Sequence, residues 1–402
     1  MLEPPVTVVG VGADGWAGLG DAARAALTAA DVVLGAPRQL GLLPAAVGAR
    51  REAWPSPLVP ALPGVLAAHR GRAVCVLASG DPMWHGIGAT LAGLLGPDRL
   101  RVLPHPSSAS LAAARLGWRL DDTEVVSLVT APVAALHPAV QPGRRVLVLG
   151  ADVAQVAALL TARGYGDSPV TVLEQLGGPA ERVLTGTAAA WPHPPGDPLR
   201  VVAVRCVAGP DAPLLPTTPG LPDDAYDSDG QLTKREVRAV TLARLAPAAG
   251  QLLWDVGAGS GSIAIEWLRA HPANRAVAVE PDPVRAARIG ANAEALGVPR
   301  LTVVTGRAPQ ALAELAGPAD AVFVGGGVTA PGMVDAAWAA LAPGGRLVAN
   351  AVTIESEQVL AAAHARLGGD LTRLAVHRAA PVGGFTGWRP LMPVTIWAVT
   401  RP

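Results

Sequence analysis

The sequence predicts two α/β domains joined by a Pro/Gly-rich segment, and three features carry that expectation. Short Val/Leu-rich runs alternate with Ala-rich stretches along the 402 residues. Those runs are continuously apolar rather than alternating, which marks strands covered on both faces, as in helix-flanked sheets. The stretch 207–230 interrupts the pattern with Ala208-Gly209-Pro210-Asp211-Ala212-Pro213 and Pro216-Thr217-Thr218-Pro219-Gly220-Leu221-Pro222. Pro and Gly at that density mark a connection rather than an element. The expected layout is a first domain over 1–207, a linker over 208–230 and a second domain over 231–402.

Composition excludes several classes. Half of the residues are apolar, enough for a core in each half. Lys plus Arg equals Asp plus Glu at 32 each, so the basic footprint of a nucleic-acid binder is absent; a small anionic substrate needs only a local cluster. Cys75 and Cys206 lie far apart without metal-ligand spacing, so no metal site is expected and a reduced, cytoplasmic setting is. Met1-Leu2-Glu3-Pro4-Pro5 has no basic region ahead of an apolar core, so no signal peptide is expected. No apolar run is long enough to span a bilayer. Lys234 is the sole lysine, either a functional cation or a chance survivor on a helix surface.

The first half opens with strand Val6–Val9 running into Gly10-Val11-Gly12-Ala13-Asp14-Gly15. Alone, this is the G-x-G-x-x-G of a dinucleotide site. The acid that would close the second strand of such a site is missing. Asp31 instead opens the next apolar run, Val32-Val33-Leu34, and Gly35 closes it. Two later segments give the loop another setting. Strand Cys75–Ala78 ends in Ser79-Gly80-Asp81-Pro82, and Val102-Leu103 ends in Pro104-His105-Pro106-Ser107-Ser108 ahead of an Ala-rich helix. Loops at strand ends of this kind line a ligand crevice. Glycines there admit close backbone approach, and Ser107 or Ser108 can donate to a polar ligand. Each segment taken singly is also a turn with an N-cap. After about Gly117 a second series begins, with strands at Arg145–Leu149, Val170–Leu173 and Val201–Arg205, so two lobes are expected.

The sharpest signal lies in the second half. Leu252-Leu253-Trp254-Asp255-Val256 runs into Gly257-Ala258-Gly259-Ser260-Gly261, and an amphipathic helix follows over Ile263–Leu268. The helix start offers free N–H groups to a polar ligand. The next strand, Ala276–Val279, ends in Glu280, placed to accept from two ribose hydroxyls. That acid serves NAD and S-adenosylmethionine (SAM) sites alike. Strict alternation of Gly257, Gly259 and Gly261, with Asp255 just ahead, favours SAM; an NAD oxidoreductase is the outsider. Helix Pro283–Leu296, strand Leu301–Val304 and Gly306-Arg307-Ala308-Pro309 beside the adenine come next. Strand Asp320–Val324 opens into Gly325-Gly326-Gly327, Pro343-Gly344-Gly345 turns into Arg346–Asn350, and the last strands fall near Leu371–His377 and Val394–Val399. This is a seven-stranded methyltransferase order. No Asn/Asp-Pro-Pro-Tyr follows the fourth strand, which disfavours methylation of a nucleic-acid amine. Upstream, Thr233 and Glu236 have the T-x-x-E spacing of a capping box. The same stretch puts Thr233 at the cofactor mouth and Lys234, Arg235 or Arg238 near substrate carboxylates. Asn350, at a strand end on the same crevice, is a further candidate.

At these residues the first half resembles the tetrapyrrole (corrin/porphyrin) methylases. The resemblance runs through the opening glycine loop, Ala30-Asp31-Val32-Val33-Leu34-Gly35, Ser79-Gly80-Asp81-Pro82 and Ser107-Ser108; Val172–Arg182 resembles their C5-specific branch. The second half resembles the C15-methylating, decarboxylating methyltransferases through Leu232-Thr233-Lys234, Asp255–Gly261 and Asn350-Ala351-Val352-Thr353. Fused in this order, the halves resemble the precorrin-6Y C5,15-methyltransferase (decarboxylating) family over essentially the whole chain.

The resemblance implies an N-terminal two-lobed tetrapyrrole methylase fold and a C-terminal Rossmann-like class I methyltransferase fold, each binding one SAM. In the first, SAM would meet Gly10, Gly12, Ser79, Gly80, Asp81, Ser107 and Ser108. In the second it would meet Thr233, Asp255, Gly257, Ala258, Gly259, Ser260, Gly261, Glu280 and Ala308, with Lys234, Arg235 and Asn350 toward the precorrin. It further implies C-methylation at C5 and C15 with decarboxylation of a ring acetate, from precorrin-6B to precorrin-8X in cobalamin biosynthesis. The implied enzyme is a cytoplasmic homo-oligomer without nucleic-acid or membrane partners. Two departures stand out. The C5 branch has Ser-Leu-His-Gly-Arg where this chain has Ser127-Leu128-Val129-Thr130-Ala131, removing a basic substrate contact, and Arg307 stands where an acid often precedes the adenine-side Ala. The first departure keeps a second reading open: a single-site small-molecule methyltransferase with a non-catalytic SAM- or tetrapyrrole-binding first half. Transfer from an activated sulfonium demands positioning more than acid–base help. No Ser/His/Asp or Cys/His constellation is visible, and no catalytic residue is assigned.

Overall fold

The computed structural model describes residues 4–402; Met1–Glu3, on which part of the leader expectation rests, lie outside the described residues. The chain forms two compact units, one running up to Val133 and including Pro142–Ala212, the other made of Ala134–Gln141 and Pro213–Pro402. Among the described residues no helix is long and apolar enough to cross a membrane. Among the same residues no group of three or more His, Cys, Asp or Glu is placed to hold a metal ion.

The first unit begins with β1 (Val6–Val11), α1 (Asp21–Thr28), β2 (Val32–Gly35), α2 (Pro37–Gly41), β3 (Arg50–Ala53), α3 (Leu58–Ala68), β4 (Val74–Ser79), α4 (Ile87–Leu95), β5 (Leu100–Leu103) and α5 (Ser108–Leu116). The strands make a parallel sheet ordered β3-β2-β4-β1-β5. Both faces are covered, as the continuous Val/Leu runs require. Val8, Val32 and Val76 pack with Leu62 and Leu91 from α3 and α4, and Val9, Val33 and Leu77 pack with Leu27 from α1. A second lobe follows: β6 (Glu124–Ser127), β7 (Arg145–Leu149), α6 (Val153–Ala162), β8 (Pro169–Glu174), β9 (Arg182–Thr187) and β10 (Arg200–Arg205). Its order is β6-β7-β10-β8-β9, antiparallel except β6 with β7. Strand β9 is absent from the sequence expectation because it lies on a sheet edge with no buried residue and so lacks a continuous apolar run.

The second unit holds α7 (Arg235–Leu245), β11 (Leu252–Val256), α8 (Ser262–Ala270), β12 (Arg275–Glu280), α9 (Pro283–Ala295), β13 (Thr302–Thr305), β14 (Ala319–Val324), α10 (Met333–Ala339), β15 (Leu341–Ala351), α11 (Ile354–Leu367), β16 (Asp370–Leu374), β17 (His377–Val382), β18 (Phe385–Pro390) and β19 (Val394–Thr400). Seven strands are ordered β13-β12-β11-β14-β15-β19-β16, with β19 antiparallel to its neighbours. The chain reverses direction across the sheet at β11, between β12 and β14, and that switch point is where open α/β sheets bind ligands. Asp282 starts α9 by accepting from the Val284 and Arg285 amides, with Pro283 at the first helical position, a pairing of cap and preset φ that favours helix initiation.

Several expectations change. The turn at Pro343-Gly344-Gly345 lies inside β15, next to a register irregularity opposite Ala319 and Ala321. The strand placed at Leu371–His377 ends at Leu374, and β17 pairs with β18 in a separate hairpin. The capping box does not form. Lys234 is the N-cap of α7, and Glu236 is drawn 2.6 Å from Arg378 instead. The stretch expected to be a linker is docked from Pro213 onward, with Leu221 and Tyr226 inside the second unit's core.

Candidate functional site

In the second unit, the strand ends at the switch point open into a cavity of about 690 Å³. Gly257, Ala258, Gly259, Glu280, Ala308, Thr233, Lys234 and Asn350 all line it. The glycine loop is imposed by sterics. Gly257 has φ +69°, and a Cβ there would stand 2.8 Å from Gly326 backbone atoms; a side chain would close the crevice mouth. Glu280 is buried at the tip of β12, where its carboxylate accepts from the Gly259 amide at 2.8 Å and the Asp282 amide at 3.1 Å. It therefore pins the loop as well as facing the cavity. Asn350 donates to Thr241 Oγ1 at 3.0 Å, while its buried Oδ1 has no partner. A buried acceptor left open inside a cavity is costly unless a ligand donor meets it.

Four expected residues sit elsewhere. Asp255 is buried beneath the loop, where Oδ2 accepts from the Ala264 amide at 3.0 Å and so fixes the start of α8. Ser260 turns away to donate to Gln231 O. Gly261 packs on Ile289. Arg235 is exposed outside the cavity lining. Arg238, the third base of that stretch, is fully buried against Glu266 at 2.5 Å. Of the three cations that line the cavity, the sequence pointed to Lys234 but not to Arg285 or Arg307 as substrate contacts. Arg307 lines it with no recorded hydrogen bond or ion pair from its guanidinium among the described residues, as does Lys234. Arg285 also lines it but is engaged by Asp229 at 2.8 Å, a bond that holds the Asp229 carboxyl down at about 2.

Burial pushes Asp255 up to about 7, against the Ala264 hydrogen bond and with the Glu280 charge adding to the rise. The folded protein keeps this proton to higher pH than the unfolded chain, so stability falls as pH rises from about 4 to about 7 and levels off above. The size is about 4 kcal/mol at most. Asp255→Asn removes the titration while keeping an acceptor for Ala264. Thermal unfolding between pH 5 and 8 should show a flatter stability slope in the variant; an unchanged slope would assign the titration to another group.

In the first unit, the carboxyl ends of β1, β4 and β5 meet at a cavity of about 280 Å³ lined by Gly12, Ser79, Gly80 and Ser108, with Leu173, Leu176 and Val201 from the second lobe. Three expected residues support it from behind. A Cβ on Gly10 would stand 2.6 Å from His105 N and closer still to Gly80 O. Ser107 caps α5 by accepting from the Ser110 amide at 3.0 Å. Asp81 accepts from the Met83 amide at 2.8 Å and shapes its own turn. Val129 lines the cavity, largely exposed, where a base was absent from the sequence. Two arginines do reach it, Arg38 and Arg200.

A glycine-turned crevice at the switch point, an acid on the neighbouring strand tip and an orphaned acceptor fit a nucleoside-bearing methyl donor, and fold and cavity together define a SAM-dependent methyltransferase. The model of the tetrapyrrole (corrin/porphyrin) methylases matches residues 5–191, and that of the precorrin methyltransferase domain matches 224–401. A precorrin-6Y C(5,15)-methyltransferase [decarboxylating] of a Sinorhizobium species is 50% identical over 404 residues, covering 100% of this chain and 97% of the relative. One from Mycobacterium tuberculosis is 50% identical over 402 residues, covering 98% and 100%. A cobalt-precorrin-6B C(15)-methyltransferase (decarboxylating) of Salmonella typhimurium is 32% identical over 174 residues, covering 42% of this chain and 89% of the relative. The chain belongs to the precorrin-6Y C5,15-methyltransferase (decarboxylating) family.

Proposed function

We propose that the chain methylates a precorrin at C5 in the first unit and at C15 in the second, with loss of CO2 from a ring acetate, using one SAM in each cavity. The observation that supports this best is the presence of two separate strand-end cavities, each edged by a glycine loop, in a chain alike over its full length to the relatives above. SAM supplies an electrophilic methyl carbon when bound. In the second cavity Gly257–Gly259 give backbone room, Glu280 is the acceptor for ribose hydroxyls, and Thr233 and Ala308 flank the donor. Lys234 and Arg307, unpaired among the described residues, offer cations to the peripheral carboxylates, which charge-assisted hydrogen bonds hold firmly. Asn350 Oδ1 takes a ligand donor. The chain's task is to bring methyl and ring carbon into line. In decarboxylation the conjugated macrocycle accepts the electron pair released as CO2 leaves. Self-association in the cytoplasm belongs to the same proposal, since the β17–β18 hairpin exposes Val382, Phe385 and Trp388.

The test is mass analysis of product from the full chain with SAM and precorrin. The expected product has gained two methyl groups and lost one CO2. A product with one added methyl group would instead favour a single catalytic unit beside a binding module.

A further inference from the structure

The first cavity contains a polar corner that the sequence motifs do not reveal. Its parts are Arg38 and Gln39 on α2 and Ser79 at the end of β4. Gln39 is buried, and its Oε1 accepts from the Ala36 amide at 2.8 Å. A backbone amide can only donate, so the orientation of the Gln39 side chain is fixed. Its Nε2 therefore donates to Ser79 Oγ, at 3.0 Å. Arg38 Nη2 donates to the same oxygen at 2.9 Å. A serine hydroxyl has two acceptor positions and one proton. Both acceptor positions are filled by groups that cannot accept in return. The Ser79 proton is thus left as a donor, and among the described residues no acceptor is recorded for it. Ser79 also lines the cavity.

Arg38 has capacity to spare. A guanidinium carries five N–H donors, and this one is recorded in a single hydrogen bond. Asp197, the carboxylate whose field reaches Arg38, is already engaged by Gln175 Nε2 at 2.8 Å and the Leu199 amide at 2.7 Å. The other arginine on this cavity, Arg200, is tied more fully, with Nε on the Ala151 carbonyl at 2.9 Å and Nη1 on the carbonyls of Asp197 at 3.1 Å and Gly196 at 3.4 Å. Of the two, Arg38 is the cation with more open donors, and it lies next to a hydroxyl that must donate.

We propose that Arg38 and Ser79 form a carboxylate-binding corner that sets the grip of the first cavity on its ligand. A carboxylate accepts from the guanidinium fork and from the Ser79 hydroxyl together, the charge-assisted geometry in which arginine is strongest. The inference rests on the first unit's being a methylation site. Two carboxylates could enter, one from the macrocycle's side chains and one from the methionine end of SAM.

The experiment compares Arg38→Gln and Arg38→Lys with the unaltered full chain. The KM for SAM and for precorrin is measured for the first unit's methylation, with the second unit's methylation read on the same product mixture as internal control. Calorimetric titration with each ligand runs in parallel. Arg38→Gln should raise one KM about tenfold with kcat held within twofold, and Arg38→Lys should recover part of it. A rise confined to precorrin assigns the macrocycle's carboxylate; a rise confined to SAM assigns the donor's. Unchanged KM values and titrations for both ligands overturn the corner. If the unaltered chain makes no product at the first unit, the two-site reading fails on its own, and the titrations still decide the corner because they need no turnover.

Discussion

Gly10→Ala should abolish methylation by the first unit, by about 100-fold or more, and leave methylation and decarboxylation by the second unchanged. Gly10 lies where β1, the end of β4 and the loop after β5 come together. An added Cβ would stand 2.6 Å from His105 N and press harder still on Gly80 O. Both obstacles are backbone atoms, so no side chain can swing aside. The loops carrying Gly12, Ser79–Gly80 and Ser108 must separate, and each lines the cavity. Displacement of reacting groups by about 1 Å costs roughly 100-fold in rate, while overpacking itself costs about 1–3 kcal/mol. Gly93→Ala is the control. It lies within α4, and its Cβ would meet nothing within 4 Å, so it should be neutral or stabilising by up to about 1 kcal/mol. First-unit activity within a few-fold of normal in Gly10→Ala would remove the junction from the site.

What could be read in the sequence is what a short stretch of backbone determines by itself. Asp255–Gly261 declares a tight turn at a strand end because only glycine tolerates it, and Gly10–Gly15 declares a place where backbones approach closely. Alternating Val-rich and Ala-rich runs declare covered sheets. What could not be read depends on pairings across long separations. Arg38 and Ser79 are 41 residues apart. Thr233 and Glu236 have capping-box spacing, yet Glu236 is claimed by Arg378, 142 residues on. Asp255 looks like a ligand in a string of glycines, but the chain buries it to hold α8. Arg235 and Arg238 are equivalent by composition. Helix α7 sends the first to solvent and the second into the core, where only the fold supplies Glu266.

That pairing leads to the largest stability effect. Arg238→Ala should destabilise the second unit by about 3–5 kcal/mol, the usual cost of removing one partner of a buried ion pair. The Arg238 guanidinium meets Glu266 Oε1 at 2.5 Å, Asp223 Oδ1 at 3.3 Å, Thr233 O at 2.5 Å and also Leu221 O. It lies over the Tyr226 ring, 4.8 Å from its centroid. Glu266 also accepts from the Gly220 amide at 2.6 Å, the Leu221 amide at 3.1 Å and Tyr226 Oη at 2.9 Å. Burial first, then the Glu266 charge, push the Tyr226 phenol well above its usual range, so it stays a donor. The hub ties 220–226 to α8 and sets the height of Thr233 at the cavity mouth. Arg238→Ala leaves the Glu266 carboxylate buried without its cation, whereas Arg238→Ala with Glu266→Gln removes both charges at the same packing volume. Calorimetric unfolding of the full chain should therefore show the double variant losing less than the single one. In Arg238→Ala, SAM binding to the second cavity should also weaken at temperatures where the unit is still folded, because Thr233 has lost its tether. Equal losses in the two variants would mean that packing volume, not the stranded charge, determines the cost.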